Sequence, residues 1–153
     1  MVPVRLVPLP CPSVPDVLIA ADGSWVHDEV RQALRAPDVP VRWVRTGQEA
    51  VAAVRERAPD LAVLDMRIGQ MGAMAISLEL RLEEGVGRLP HVPLLILLDR
   101  RADVFLARRS GAEGFVVKTL DPIRLRKSIT ALLAGGTYED YSYKPETVPP
   151  TAV

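Results

Sequence analysis

The chain has 153 residues, enough for one domain with a sizeable core, and its 19 basic and 19 acidic residues cancel. That balance excludes a global field for nucleic acid or an anionic membrane, so any partner must be recognised locally. The single cysteine, Cys11, excludes an internal disulfide and a thiolate metal cluster and fits a reducing cytoplasm, and no apolar run approaches the roughly 18 residues of a membrane span.

In chain order, residues 1–15 carry five prolines and read as a flexible leader. Residues 16–134 then alternate between two hydrophobic periods. Short apolar runs at Val17–Ala20, Val41–Val44, Leu61–Leu64, Leu94–Leu98 and Phe115–Val117 have strand length. Several are apolar on both faces, as parallel strands covered by helices are. Helical stripes lie between them: Val26, Val30, Ala33 and Leu34; Ala50, Val51 and Val54; a diffuse one through Met74, Ile76, Leu78, Leu80 and Leu82; Val104, Phe105 and Ala107. The last contains Ile123, Leu125, Ile129, Leu132 and Leu133, with Pro122 suited to its first turn. Gly135-Gly136 stops that helix, and residues 135–153 read as a flexible tail outside the core, with three tyrosines.

Five alternations of strand and helix predict an α/β fold, a doubly wound, flavodoxin-like (βα)5 parallel sheet of five strands in the order 2-1-3-4-5, joined by right-handed crossovers. Ligands in such sheets bind beyond the carboxyl ends of the strands, where strand order reverses. The residues there are Ala21-Asp22-Gly23, Asp65, Leu98-Asp99 and Lys118-Thr119. Carboxylates with a carbonyl select a hard cation such as Mg2+, a lysine can hold a phosphoryl oxygen, and an aspartate can accept a phosphoryl group.

These residues carry a resemblance over about 16–134. The chain resembles the receiver domain of two-component response regulators, through VLIAAD at 17–22, LAVLD at 61–65 and GAEGFVVK at 111–118. The resemblance implies that Asp65 is the phosphoacceptor, that Asp22, Asp65 and the backbone carbonyl of Arg67 bind Mg2+, and that Lys118 contacts the phosphoryl group. Phe115 falls where the family keeps a switch aromatic. Six positions depart from the family. Ala21 replaces the first of two acids, and Leu98 replaces a Thr or Ser whose hydroxyl bonds the phosphoryl group. Asp99 adds a negative charge beside it. Thr119 replaces a proline that commonly follows a cis bond; since a non-proline cis bond costs roughly 2.5–4 kcal/mol, a trans bond is expected. Gly69 and Gly72 stand where the family commonly has a proline and an acidic residue and make the loop after Asp65 pliable; the stretch from Leu98 to Lys118 is shorter than the family's usual one, so the loop into the fourth helix, or that helix itself, should be abbreviated.

Plainer readings stand beside these. Asp65 is otherwise a cap or a strand-end acid, Asp22 a cap of the first helix, and Lys118 an ion-pair partner of Asp65 or Asp99. Phe115 reads as core, Trp25 and Trp43 as packing residues, and His27 and His91 as isolated. Arginines at 100, 101, 108, 109, 124 and 126, with Lys127, read as a solvated face. Their interleaving with Asp99, Asp103, Glu113 and Asp121 suits a homodimer through the strand 4, strand 5 and helix 5 face.

The expected function is that of an atypical stand-alone receiver acting through a protein partner, a histidine kinase or downstream target. Phosphorylation at Asp65 is weak or absent, and no output domain or direct nucleic-acid contact is expected. A conventional phosphorelay receiver is the alternative. An aspartate-nucleophile phosphatase is the remote one, because Arg67 stands where its second aspartate belongs.

Overall fold

A computed structural model describes residues 14–35, 38–69 and 71–142. Cys11, the leader through residue 13 and the tail from residue 143 lie outside the described residues. The elements are β1 (Val17–Ala20), α1 (Ser24–Leu34), β2 (Val41–Val44), α2 (Gly47–Glu56), β3 (Leu61–Asp65), α3 (Ala73–Gly85), β4 (Leu94–Leu98), α4 (Val104–Arg109), β5 (Gly114–Val117), α5 (Pro122–Leu133) and β6 (Tyr138–Glu139). All strand pairs are parallel, in the order β2-β1-β3-β4-β5-β6. The predicted 2-1-3-4-5 core is therefore present, with one further strand at its edge.

The strands form where apolar residues run uninterrupted. Every residue of β1, β3 and β4 is buried, because helices cover both faces of the sheet. Alternate side chains divide into two cores. One collects Leu18, Leu64, Leu98 and Phe115 with Ile76 and Leu80 of α3. The other collects Ile19, Val63, Leu97 and Val116 with Val26 and Val30 of α1 and Leu125 and Ile129 of α5. Truncating one of the wholly buried leucines to alanine would cost about 2–5 kcal/mol.

Local signals set the helix ends. Thr46 accepts from the Glu49 N–H at 3.1 Å to begin α2, and Asp121 accepts from the Ile123 and Arg124 N–H groups to begin α5, with Pro122 in its first turn. Gly135, at φ 84°, ends α5. Of the two shortenings expected between Leu98 and Lys118, the short element is the helix: α4 spans 6 residues behind a 3-10 turn at Arg101–Asp103.

Two expectations need correction. The Lys118–Thr119 bond is cis, not trans. The trans preference was a local one, and tertiary contacts hold both sides of this bond: Lys118 Nζ is bonded to two carboxylates, and the Thr119 carbonyl accepts from Arg124 at 3.3 Å. The region after Gly136 also differs from a tail through residue 142. Tyr138–Glu139 pair with Gly114–Phe115, and Asp140, 1% exposed, accepts from the Val117 N–H at 3.0 Å and from Arg124 at 2.7 Å. Gly114 makes the approach feasible, since a Cβ there would lie 2.8 Å from the Tyr138 carbonyl oxygen. A strand of 2 residues leaves no periodicity to read.

Burial alone would raise the Asp140 carboxyl. Hydrogen bonds from Ser142 and the Val117 N–H, with the Arg124 charge, outweigh it and hold the group below the ordinary 3.8. The anchor it provides is thus complete above the ordinary carboxylate range and lost as pH falls through the lowered value. Amide exchange at Val117 should show protection at neutral pH that collapses in acid. In Asp140→Ala the protection should already be gone at neutral pH; protection retained in that variant would contradict the anchor.

Candidate functional site

Three neighbouring strands bring the predicted residues together. Asp65 is in register with Leu97 of β4, and Leu98 with Val117 of β5, so Asp65, Asp99 and Lys118 leave the sheet side by side. Lys118 Nζ donates to Asp65 Oδ1 at 2.9 Å and to Asp99 Oδ1 at 2.8 Å. One ammonium therefore bridges two carboxylates in a site where the Lys118 and Asp65 side chains are only 15% and 11% exposed. Burial would lower the lysine's proton affinity; the bonds to Asp99 and Asp65 and their charges outweigh it, and the ammonium is held above its ordinary 10.5.

Arg67 extends the chain of charges. Its main-chain N–H donates to Asp65 Oδ1 at 3.2 Å, and its Nε lies 3.0 Å from Asp99 Oδ2. That second approach is an ion pair by distance, but Asp99 Oδ2 has no aligned hydrogen bond and is buried. The contact is a charge proximity screened by solvent, since the guanidinium is 72% exposed.

Asp22 does not cap α1, whose N-cap is Gly23 without a side-chain bond. Its Oδ1 instead accepts from the Gly69 N–H at 3.2 Å, tying the loop after β3 to the end of β1. The hydrogen bonds to Asp65 from Lys118 and the Arg67 N–H fall on Oδ1, and that to Asp22 from the Gly69 N–H on its own Oδ1, so each Oδ2 atom could be offered to a cation. Among the described residues no group of three or more His, Cys, Asp and Glu side chains is arranged to hold a metal. Hard carboxylate oxygens of this kind are what magnesium takes while keeping several of its waters. Ala21 is wholly buried and contributes no side-chain donor; its carbonyl accepts from Trp43 Nε1 at 2.9 Å.

Leu98 is wholly buried and Phe115 is 3% exposed, in the same apolar core. The strand-four position thus offers packing and no hydroxyl. Trp25 differs from the packing role expected of it: it is 50% exposed, folds over Gly23, and has its ring centroid 5.3 Å from Lys118 Nζ. An aromatic face beside an ammonium adds attraction to the carboxylates already holding it. The signal was legible in principle, since Trp25 follows Asp22-Gly23-Ser24 at the first turn of α1, but helical periodicity does not mark a residue on the site side. Trp43 is partly buried, with the ring of His27 stacked on it at 5.4 Å. His91 is not isolated: its Nδ1 lies 2.7 Å from Glu84 and its Nε2 2.6 Å from Glu113, at the far end of the sheet.

Comparison with known proteins agrees with this architecture. The family model for the response regulator receiver domain matches residues 17–130. The DNA-binding response regulator MtrA of Mycolicibacterium smegmatis is 31% identical over 117 residues, covering 76% of this chain and 50% of that protein. An uncharacterized response regulatory protein of Mycobacterium tuberculosis is 31% identical over 123 residues, covering 76% and 90%. The chain thus spans half the length of the MtrA relatives it matches. A crystal structure of a LuxR-family two-component response regulator from Aurantimonas superposes with a TM-score of 0.69 at 25% identity, covering 82% of this chain and 89% of that one.

Because Lys118 separates two carboxylates, Lys118→Met should leave them facing each other and destabilise the protein by about 2 kcal/mol, less than a fully buried pair would lose. Adding Asp99→Asn should recover part of that loss in urea unfolding. Strict additivity of the two substitutions would contradict the bridge.

Proposed function

The chain belongs to the response regulator receiver domain family, and from that premise we propose that it works in two-component signalling as an atypical receiver, acting mainly by binding a protein partner, with Asp65 a weak phosphoacceptor. The observation that carries this reading is the Lys118 bridge. The group that should meet an incoming phosphoryl oxygen already commits two of its three N–H donors, to Asp65 and Asp99. With Leu98 in place of a hydroxyl donor, the phosphoryl group would lose a further contact.

In the transfer itself, a carboxylate oxygen of Asp65 attacks phosphorus and the bond to the donor breaks. The electron pair leaves with the donor's oxygen or imidazole nitrogen, and the product is an acyl phosphate on Asp65. Lys118 would neutralise one transferring oxygen, and the Arg67 N–H orients the acceptor carboxylate. Asp22, Asp65 and the Arg67 carbonyl are the groups that would hold Mg2+, whose contribution is to offset charge on the phosphoryl oxygens.

A conventional phosphorelay receiver is the second reading, favoured by the retained Asp22, Asp65 and Lys118. A phosphatase is not supported: Arg67 turns toward Asp99 and offers no acid–base carboxylate. Direct DNA binding is likewise not proposed; that description belongs to the MtrA relatives, of which this chain matches half. No described helix is long and apolar enough to cross a membrane. A homodimer through the β4, β5 and α5 face would meet Tyr138–Asp140 at the sheet edge rather than β5 itself.

Incubation with phosphorylated histidine kinases of the same cell tests the reading. Slow, incomplete transfer confined to Asp65 and absent in Asp65→Asn is expected. Fast stoichiometric transfer would establish the conventional reading instead, and label on any other residue would contradict the acceptor assignment.

A further inference from the structure

The family resemblance assigns no role to Asp99, and the geometry gives it one. Resting on the receiver reading above, we propose that Asp99 is a built-in counter-anion: a positioning residue that holds Lys118 in the place a phosphoryl oxygen would hold it, and so restrains Asp65 from accepting a phosphoryl group.

Three independent features support this. The first is distance: Asp99 Oδ1 is 2.8 Å from Lys118 Nζ, slightly closer than Asp65 Oδ1 at 2.9 Å. A carboxylate oxygen presents to an ammonium the same negative, hydrogen-bond-accepting surface as a phosphoryl oxygen. The second is how firmly the arrangement is held. Asp99 follows the wholly buried strand β4, Lys118 follows the buried strand β5, and the Lys118 N–H is tied to the Leu98 carbonyl at 2.8 Å. The Trp25 ring stands beside the ammonium on another side. The third is charge. Asp99 is 23% exposed and Asp65 11%, so an anionic donor approaching Asp65 meets a second carboxylate in a poorly hydrated site. The Arg67 guanidinium compensates Asp99 only loosely, since Oδ2 lacks an aligned donor.

The consequence is competition. A phosphoryl group entering beside Asp65 competes with Asp99 for the Lys118 ammonium, two of whose three N–H groups are already committed, and lies beside the Asp99 carboxylate. Asp99 thereby acts on both steps: repulsion weakens donor binding, and the occupied lysine lowers the saturating rate.

The test uses the full chain with saturating magnesium and acetyl phosphate, following Asp65 phosphate formation by intact mass over a range of donor concentrations. Transfer forms the Asp65 oxygen to phosphorus bond and releases acetate with the electron pair of the broken bond. Asp99→Asn preserves shape and removes charge. It should raise the second-order rate by about ten-fold or more, the scale of removing one like charge a few ångströms away. Both a lower half-saturating donor concentration and a higher saturating rate should contribute. Asp99→Glu, which keeps the charge, should remain slow, and Asp99→Thr should rise like Asn, providing a second neutral variant should either one fold poorly. Equal rates for wild type and both neutral variants would overturn the role of Asp99 while leaving the receiver reading intact. No adduct in any folded variant would overturn both the restraint by Asp99 and the acceptor role of Asp65.

Discussion

A single ammonium held between two carboxylates organises the carboxyl edge of this sheet. Lys118 has Asp65 on one side and Asp99 on the other, with the Trp25 ring beside it. Removing either carboxylate would leave one bond, while removing the lysine would leave two like charges in a poorly hydrated pocket. The sheet imposes this arrangement. β3, β4 and β5 are neighbours in register, so residues that follow them emerge together, and their wholly apolar bodies leave the carboxyl ends as the place for polar chemistry.

On the proposed reading, the same constraint would set this site apart from a freely responding receiver. Leu98 packs into the core with Phe115, which is itself buried, and offers no hydroxyl to a group beside Asp65. On the β6 side of the same end of the sheet, Asp140 bonds the Val117 N–H, one residue before Lys118, and Arg124 bonds both Asp140 and the Thr119 carbonyl. The end of β5 is thus held from two sides: by carboxylates of the site and by the segment after α5.

Much of this was legible in sequence. Uninterrupted runs such as LLILL report buried parallel strands, and once the strands are ordered, Asp22, Asp65 and Lys118 fall at one edge. What stayed hidden shares a physical cause: contacts that do not alter a local pattern. β6 is too short for periodicity, and its anchor depends on an aspartate, Asp140, indistinguishable in sequence from a solvated acid. Asp22 looked like a helix cap because Asp-Gly-Ser is a capping signature, yet its carboxylate reaches the distant Gly69 N–H. Trp25 fits a helical position and turns toward the site. The cis bond at Lys118–Thr119 ran against a local rule in a place crowded by tertiary contacts.

The two-carboxylate bridge is probed by following the Lys118 side chain itself through its titration, with NMR of its terminal carbon in wild type, Asp99→Asn and Asp65→Asn. It predicts a midpoint above the ordinary 10.5 in wild type and a lower one in each variant, since each removes one of the two carboxylates that outweigh burial. A wild-type midpoint at or below that value, unmoved by either substitution, would show that the ammonium does not bridge the two acids.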